Sequence, residues 1–118
     1  DLHRRRHSFP TRRSSDLFDE ELFGPVISII VVNNEREAIA CANQTQYGLG
    51  AAVFTRDLER GERIATHEID SGICFVNALV VSDPRLPFGG IKQSGYGREL
   101  SKEGILEFVN TKTIAISN

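Results

Sequence analysis

The fold is indicated first by residues 51–77, which read AAVFTRDLERGERIATHEIDSGICFVN. Residues 51–55 and 73–77 are rich in apolar and β-branched side chains and predict two short strands. Between them, Asp57 is expected to cap a charged amphipathic helix that runs to about Glu68 and is interrupted at Gly61. A strand, a helix and a strand in this order predict a parallel pair with the helix packed against it.

The same pattern continues on both sides of this stretch. Residues 26–32 read VISIIVV and predict a strand covered on both faces, after which Asn34 is expected to cap a helix that runs to about Gln44. Beyond the central stretch, Ser101 is expected to cap a helix to about Val109, and residues 111–117 alternate as a last strand. We therefore expect an α/β fold: a parallel sheet with flanking helices.

Composition excludes several classes of protein. The 118 residues allow one small domain, and no apolar run approaches the roughly 20 residues that span a bilayer. The two cysteines, Cys41 and Cys74, have neither C-x-x-C nor metal-ligand spacing. We therefore expect a cytoplasmic protein in a reducing setting, with no metal, membrane or nucleic-acid partner.

The start of the chain differs in charge from the rest. Residues 1–17 carry a net charge of +3, which leaves −5 for the others because the total is −2. A basic arm of this kind could bind nucleic acid or an anionic membrane. However, residues 7–17, HSFPTRRSSDL, resemble the conceptual translation of a common sequencing adapter. We expect residues 1–17 to be an artefactual segment, with a disordered basic arm as the alternative.

Two motifs flank the predicted α/β stretch: EELFGP at residues 20–25 and PFGGIKQSGYGRE at residues 87–99. In this order, they make residues 18–118 resemble the C-terminal portion of the catalytic domain of the aldehyde dehydrogenase superfamily. The resemblance implies NAD or NADP as cofactor, an aldehyde as substrate and a homo-oligomer. In that family the nucleophile, the general base and the dinucleotide-binding domain lie upstream. The chain is therefore expected to hold no catalytic residue and to be inactive alone.

The first motif holds the candidate cofactor-binding residues. The Glu21 carboxylate can accept two hydrogen bonds, which suits the hydroxyls of a ribose. Two residues on, Phe23 could place a ring against a flat heterocycle if the segment is extended. The alternative is a solvated acidic turn followed by a core phenylalanine. The resemblance implies that Glu21 binds the nicotinamide ribose and that Phe23 contacts the nicotinamide.

The loop before the second motif holds the candidate substrate-binding residues. The resemblance implies that Phe88 walls the substrate pocket. Members that oxidise succinate semialdehyde hold its distal carboxylate with a serine that corresponds to Ser82, so this aldehyde is the expected substrate. Arg85 could add positive charge nearby. The alternative is that residues 82–84, Ser-Asp-Pro, are simply a turn.

The remaining candidates have structural explanations. The glycines at 89, 90, 95 and 97 lack the G-x-G-x-x-G spacing and predict positive φ or close packing rather than a phosphate cradle. Cys74 lies mid-strand and is expected to be a buried apolar residue, and His67 to be solvated on a helix surface. Asn77 is expected to brace the loop that follows it.

The last residues suggest contact with a second subunit. By the resemblance, residues 110–118 are an oligomerisation strand that joins a sheet of a neighbouring subunit, and the alternative is a strand of this chain's own sheet. A second hypothesis for function follows: a non-catalytic interaction module that pairs with dehydrogenase subunits through residues 111–117.

Overall fold

The computed structural model describes residue 18 and residues 20–117. The described residues divide into two units, those up to residue 32 and those from residue 33 on, and each is described by itself. The segment 1–17, for which the sequence predicted an artefact or disorder, lies outside the described residues. The second unit carries the helices and strands whose bounds follow.

In the first unit, the strand predicted at residues 26–32 is not formed. Its apolar side chains are exposed, with Ile27 at 87% and Ile29 at 85% of their full accessible surface. A strand needs the backbone groups of a neighbouring strand, and no strand pairing within the described residues includes 26–32. The prediction was therefore wrong for this chain, because the side-chain pattern alone does not supply a pairing partner.

The second unit opens with helix α1, Glu35–Asn43. The Asn34 side chain accepts a hydrogen bond from the Glu37 backbone N–H at 2.9 Å, which confirms the predicted cap. In return, the Glu37 carboxylate accepts from the backbone N–H and the Nδ2 of Asn33, both at 2.9 Å. The bond to the Glu37 N–H satisfies a donor that the helix start would otherwise leave unpaired, and the bonds from Asn33 hold the residue before the cap.

Four strands form two small sheets: β1 (Tyr47–Gly48), β2 (Gly50–Val53), β3 (Ile73–Val76) and β4 (Ile91–Lys92). Strands β2 and β3 are parallel, and β1 pairs antiparallel with β4. Helix α2, Leu58–His67, connects β2 to β3, and the Asp57 carboxylate accepts from the Arg60 backbone N–H at 3.0 Å. The strand–helix–strand unit predicted from residues 51–77 is confirmed, and with it the α/β class.

The centre of the second unit lies where α2 packs against β2 and β3. Ile64, at 6% exposure, is the buried apolar side chain among the described residues, and Gly61 is buried one turn earlier. The helix continues through Gly61, so the predicted interruption is wrong. A Cβ at Gly61 would lie 2.8 Å from both Thr55 Cγ2 and Val76 Cγ1. Glycine therefore allows the helix to contact the sheet closely.

Gly61→Ala is expected to destabilise the unit, although alanine favours a helix. Thr55 and Val76 are β-branched and stiff at χ1, so the added methyl forces the helix away from the sheet. We expect a net loss of about 1–2 kcal/mol of unfolding free energy. Urea unfolding of the variant measures this loss of free energy. The control is Glu62→Ala, at an exposed position on the same helix. Equal midpoints for the two variants would contradict the packing argument.

The C-terminal part is shorter in regular structure than predicted. Helix α3 spans Ser101–Leu106 rather than reaching Val109, and Ser101 is its first residue, not its cap. Leu100 takes the capping position with φ 61° and no side-chain cap. Residues 111–117 form no strand within the described chain, so they do not complete this chain's own sheet. Pairing with a neighbouring subunit remains a prediction.

Candidate functional site

Phe88 lines an open pocket of about 390 Å³ in the second unit. Its backbone exchanges hydrogen bonds with Glu99, at 2.8 Å and 2.7 Å, which closes the glycine-rich stretch between them into a loop. The Arg98 guanidinium Nη1 donates to the carbonyls of Gly90 at 3.0 Å and Gly97 at 2.6 Å. The Arg98 side chain thus bridges two carbonyls of the loop. Phe88, at the start of the loop, is half-buried and forms part of the pocket wall.

The glycines of this loop serve its backbone, as predicted. Gly95 and Gly97 have φ values of 117° and 78°, which L-residues rarely adopt. A Cβ at Gly89 would lie 2.5 Å from the Gly97 carbonyl oxygen, and one at Gly90 would lie 2.6 Å from Ser94 Cβ. Positive φ and close packing therefore account for all four positions.

Ser82 lies at the start of an exposed turn in the loop between β3 and β4. The Asp83 carbonyl accepts from the Leu86 backbone N–H at 3.0 Å. The Asp83 carboxylate accepts from Arg85 Nε at 2.9 Å and Nη2 at 2.6 Å. These side-chain hydrogen bonds lower the pKa of Asp83 and raise that of Arg85. A turn is present at residues 83–86 rather than at the expected 82–84. The Arg85 charge is paired within it, and Ser82, just before it, is exposed.

Glu21 and Phe23 lie in the first unit, and both are exposed. Phe23 is 92% exposed, so it is not the core phenylalanine of the alternative interpretation. Its φ is 45°, and the Gly24 carbonyl accepts from the Val26 backbone N–H at 2.8 Å. The segment therefore turns at Phe23 and is not extended as predicted. A bulky residue at positive φ is an outlier that structures retain mainly at functional sites.

A family model covers most of this chain. The aldehyde dehydrogenase family model matches residues 10–114. The chain belongs to the aldehyde dehydrogenase family.

Curated aldehyde dehydrogenases show the same relationship in sequence. Over 97 residues the chain is 50% identical to the succinate-semialdehyde dehydrogenase (NADP+) of Deinococcus radiodurans, covering 82% of this chain and 20% of the relative. It is 49% identical over 100 residues to the probable succinate-semialdehyde dehydrogenase (NADP+) of Synechocystis, covering 85% and 22%. The chain therefore spans about a fifth of the length of the relatives it matches.

A solved aldehyde dehydrogenase shows the relationship in structure. The succinic semialdehyde dehydrogenase of Streptococcus pyogenes, crystallised with NADP+, matches with a TM-score of 0.85 and 45% identity. The match covers 91% of this chain and 23% of that enzyme. The arrangement of β2, α2 and β3 is therefore that of one part of the aldehyde dehydrogenase fold.

The cysteines of this aldehyde dehydrogenase segment are both half-buried and free. Burial raises the pKa of the Cys74 thiol, which keeps it protonated near neutral pH and makes it a poor nucleophile. Among the described residues, no group of three or more His, Cys, Asp or Glu side chains could hold a metal ion. Within the same residues, no helix is long and apolar enough to cross a bilayer.

Sequence reasoning missed the role of Lys92 in the second aldehyde dehydrogenase motif. Its Nζ donates to the carbonyls of Asn43 at 2.8 Å and Thr45 at 3.3 Å, and lies 3.7 Å from an oxygen of Asp70. The lysine thus caps the C-terminal end of α1 and ties β4 to it. The partners lie 47 and 49 residues away in sequence, so no local pattern points to them.

Proposed function

We propose that the complete protein oxidises succinate semialdehyde to the dicarboxylate, with NADP or NAD accepting the hydride. Identity of 50% over 97 residues and 49% over 100 residues to two succinate-semialdehyde dehydrogenases carries this proposal. The chain supplies parts of two binding sites, whereas the nucleophile that adds to the aldehyde carbon comes from the rest of the polypeptide. The chain alone is then inactive. We expect the protein to act in the cytoplasm and as a homo-oligomer.

In this proposal, Glu21 and Phe23 hold the cofactor. When bound, the nicotinamide takes the hydride from the aldehyde carbon. The residues fit this role, since neither side chain makes a hydrogen bond or ion pair within the described residues and both are exposed. A free carboxylate can accept from ribose hydroxyls, and a free ring can lie against a heterocycle.

Ser82 and Phe88 take the substrate roles. The Ser82 hydroxyl is exposed and can donate to the distal carboxylate of the substrate. Arg85 adds no net charge there, because Asp83 pairs with it in the same turn. Phe88 supplies an apolar wall. Selectivity for an aldehyde with a distal carboxylate then depends on where the loop places the Ser82 hydroxyl.

A chimera tests the proposal. Residues 20–117 would replace the matching segment of the Streptococcus pyogenes enzyme, and the same enzyme truncated before that segment is the control. The chimera is expected to oxidise succinate semialdehyde with NADP+, whereas the truncated enzyme and the 118-residue chain are not. A chimera that binds NADP+ but oxidises no aldehyde would contradict the proposed function.

Residues 111–117 support the second candidate, a non-catalytic interaction module. Ile114 and Ile116 are 73% and 86% exposed and belong to no sheet within the described chain. An unpaired apolar strand can add to the edge of another sheet. This candidate predicts that the chain co-purifies with an intact dehydrogenase without adding activity, and that Ile114→Lys abolishes the association.

A further inference from the structure

The loop between β3 and β4 has little regular structure, yet its first residue is firmly held. Asn77 has φ 55°, and its side chain meets the backbone of Thr55 at the end of β2. The amide Oδ1 accepts from the Thr55 N–H at 2.8 Å, and Nδ2 donates to the Thr55 carbonyl at 2.8 Å. We call these two bonds the Asn77 clamp.

Asparagine suits both the pair of hydrogen bonds and the left-handed backbone at this position. Its amide carries one acceptor and one donor side by side, which complements the N–H and C=O of a single residue. Asparagine also tolerates the left-handed backbone better than most residues. The Asn77 N–H donates to the Val53 carbonyl at 2.8 Å, so the clamp directly extends the parallel pairing of β2 and β3.

The clamp fixes the direction in which the loop leaves the sheet. Three residues later, Val80 packs against Gly50, where a Cβ would lie 2.9 Å from Val80 Cγ1. Further along, the Pro84 carbonyl accepts from the Ser101 N–H at 3.1 Å. Ser82 lies between these two anchors, and its exposed side chain makes no hydrogen bond within the described residues. Its position is therefore set by the backbone on either side.

We propose that Asn77 is a positioning residue that sets selectivity for aldehydes with a distal carboxylate. It acts through the loop, by placing the Ser82 hydroxyl, and does not itself contact the substrate. This inference rests on the proposed function, since it assigns the part of the same site that determines which aldehyde is preferred.

Asn77→Gly in the chimera is the informative variant, because glycine keeps the positive φ and removes only the clamp. We expect kcat/KM for succinate semialdehyde to fall about tenfold, mainly through KM. For butanal, which lacks the carboxylate, we expect a change of less than about twofold. Thr55→Ser keeps both backbone partners and the hydroxyl and removes only the Cγ2 methyl that lies near Gly61. It is therefore the control for a packing change beside the clamp, and we expect it to leave the ratio of the two kcat/KM values unchanged.

Asn77→Asp separates the two bonds. The aspartate keeps an acceptor for the Thr55 N–H but loses the donor and places a charge beside the Thr55 carbonyl. We expect kcat/KM for succinate semialdehyde to fall at least as much as it does in Asn77→Gly. An equal fall for both aldehydes in Asn77→Gly would overturn the proposal, because a merely structural residue would affect both substrates alike.

Hydrogen exchange in the same chimera separates failure of this inference from failure of the proposed function. If no aldehyde is oxidised, the proposed function fails. The clamp is still measured by exchange of the Thr55 amide and of residues 78–88. Asn77→Gly is expected to speed that exchange by about tenfold relative to Thr55→Ser. Exchange that is equal in the two variants would overturn the positioning role.

Discussion

Gly72→Ala is expected to have the largest effect on stability of any substitution considered. A Cβ at this position would lie 1.8 Å from the Gly89 carbonyl oxygen, 2.8 Å from the Gly89 carbonyl carbon and 3.0 Å from Gly90 Cα. These are backbone atoms, so no side-chain rotation relieves the overlap. Either the start of β3 or the glycine-rich loop must move, and we expect a loss of about 3 kcal/mol.

The displacement would also affect the pairing next to Gly72. Its N–H donates to the Gly48 carbonyl at 2.9 Å, and the next residue, Ile73, donates to Leu49 at 3.1 Å. Gly89 lies directly after Phe88, so moving the loop also moves the pocket wall. Gly72→Ala should therefore lower the activity of the chimera as well as its stability.

Thermal unfolding of the chimera measures the effect, with Gly24→Ala as the control. At Gly24 the nearest atom to an added Cβ is the Leu22 carbonyl oxygen at 3.7 Å, an ordinary contact. The control is expected to unfold within about 0.5 kcal/mol of the unmodified chimera. If the chimeras that carry Gly72→Ala and Gly24→Ala unfold at the same temperature, the backbone of Gly89 and Gly90 does not pack against Gly72.

The parts of the fold that the sequence predicts correctly are those whose partners lie within the same short stretch. Residues 51–77 contain both strands of the parallel pair and the helix between them, so pattern and packing agree. Asn34 and Asp57 cap their helices through bonds to residues three positions away. Contacts between residues so close in sequence can be predicted from the sequence pattern.

Local sequence is a poor guide to elements whose partners are not local. Residues 26–32 have the composition of a buried strand, but pairing depends on a neighbour that the described chain does not provide. Residues 111–117 alternate as a strand should but form none within the described chain, so their pairing with a neighbouring subunit stays a prediction. Strand β4 is two residues long, too short for any periodicity, and the Lys92 contact to Asn43 spans 49 residues.

The site shows a similar division. The motif resemblance indicated Phe88, which the structure places in the wall of a pocket. The roles of Glu21, Phe23 and Ser82, and the contact of Phe88 with the substrate, stay predictions. The clamp between Asn77 and Thr55 is a feature that the sequence did not show. In it, the Asn77 side chain pairs with the backbone N–H and C=O of Thr55, at the end of β2. Its partner is 22 residues away, so only the folded chain shows that Asn77 braces its loop through the backbone of Thr55.

Glu21→Gln is expected to have the largest effect on catalysis. In the proposed role, the carboxylate accepts hydrogen bonds from two ribose hydroxyls, and bonds to a charged acceptor contribute about 1.5–3 kcal/mol each. Glutamine retains the shape but loses the charge and one acceptor. We therefore expect kcat/KM for NADP+ in the chimera to fall on the order of a hundredfold.

The neighbouring Glu20→Gln is a matched control for Glu21→Gln. Glu20 and Glu21 are adjacent exposed carboxylates, and neither makes a hydrogen bond or ion pair within the described residues. Loss of one negative charge therefore changes the local potential similarly in both variants. Only a specific bond from Glu21 to the cofactor predicts a difference, and equal kcat/KM values would refute it. Because the side chain has no other partner in the described chain, a large effect would come from cofactor binding rather than from lost stability.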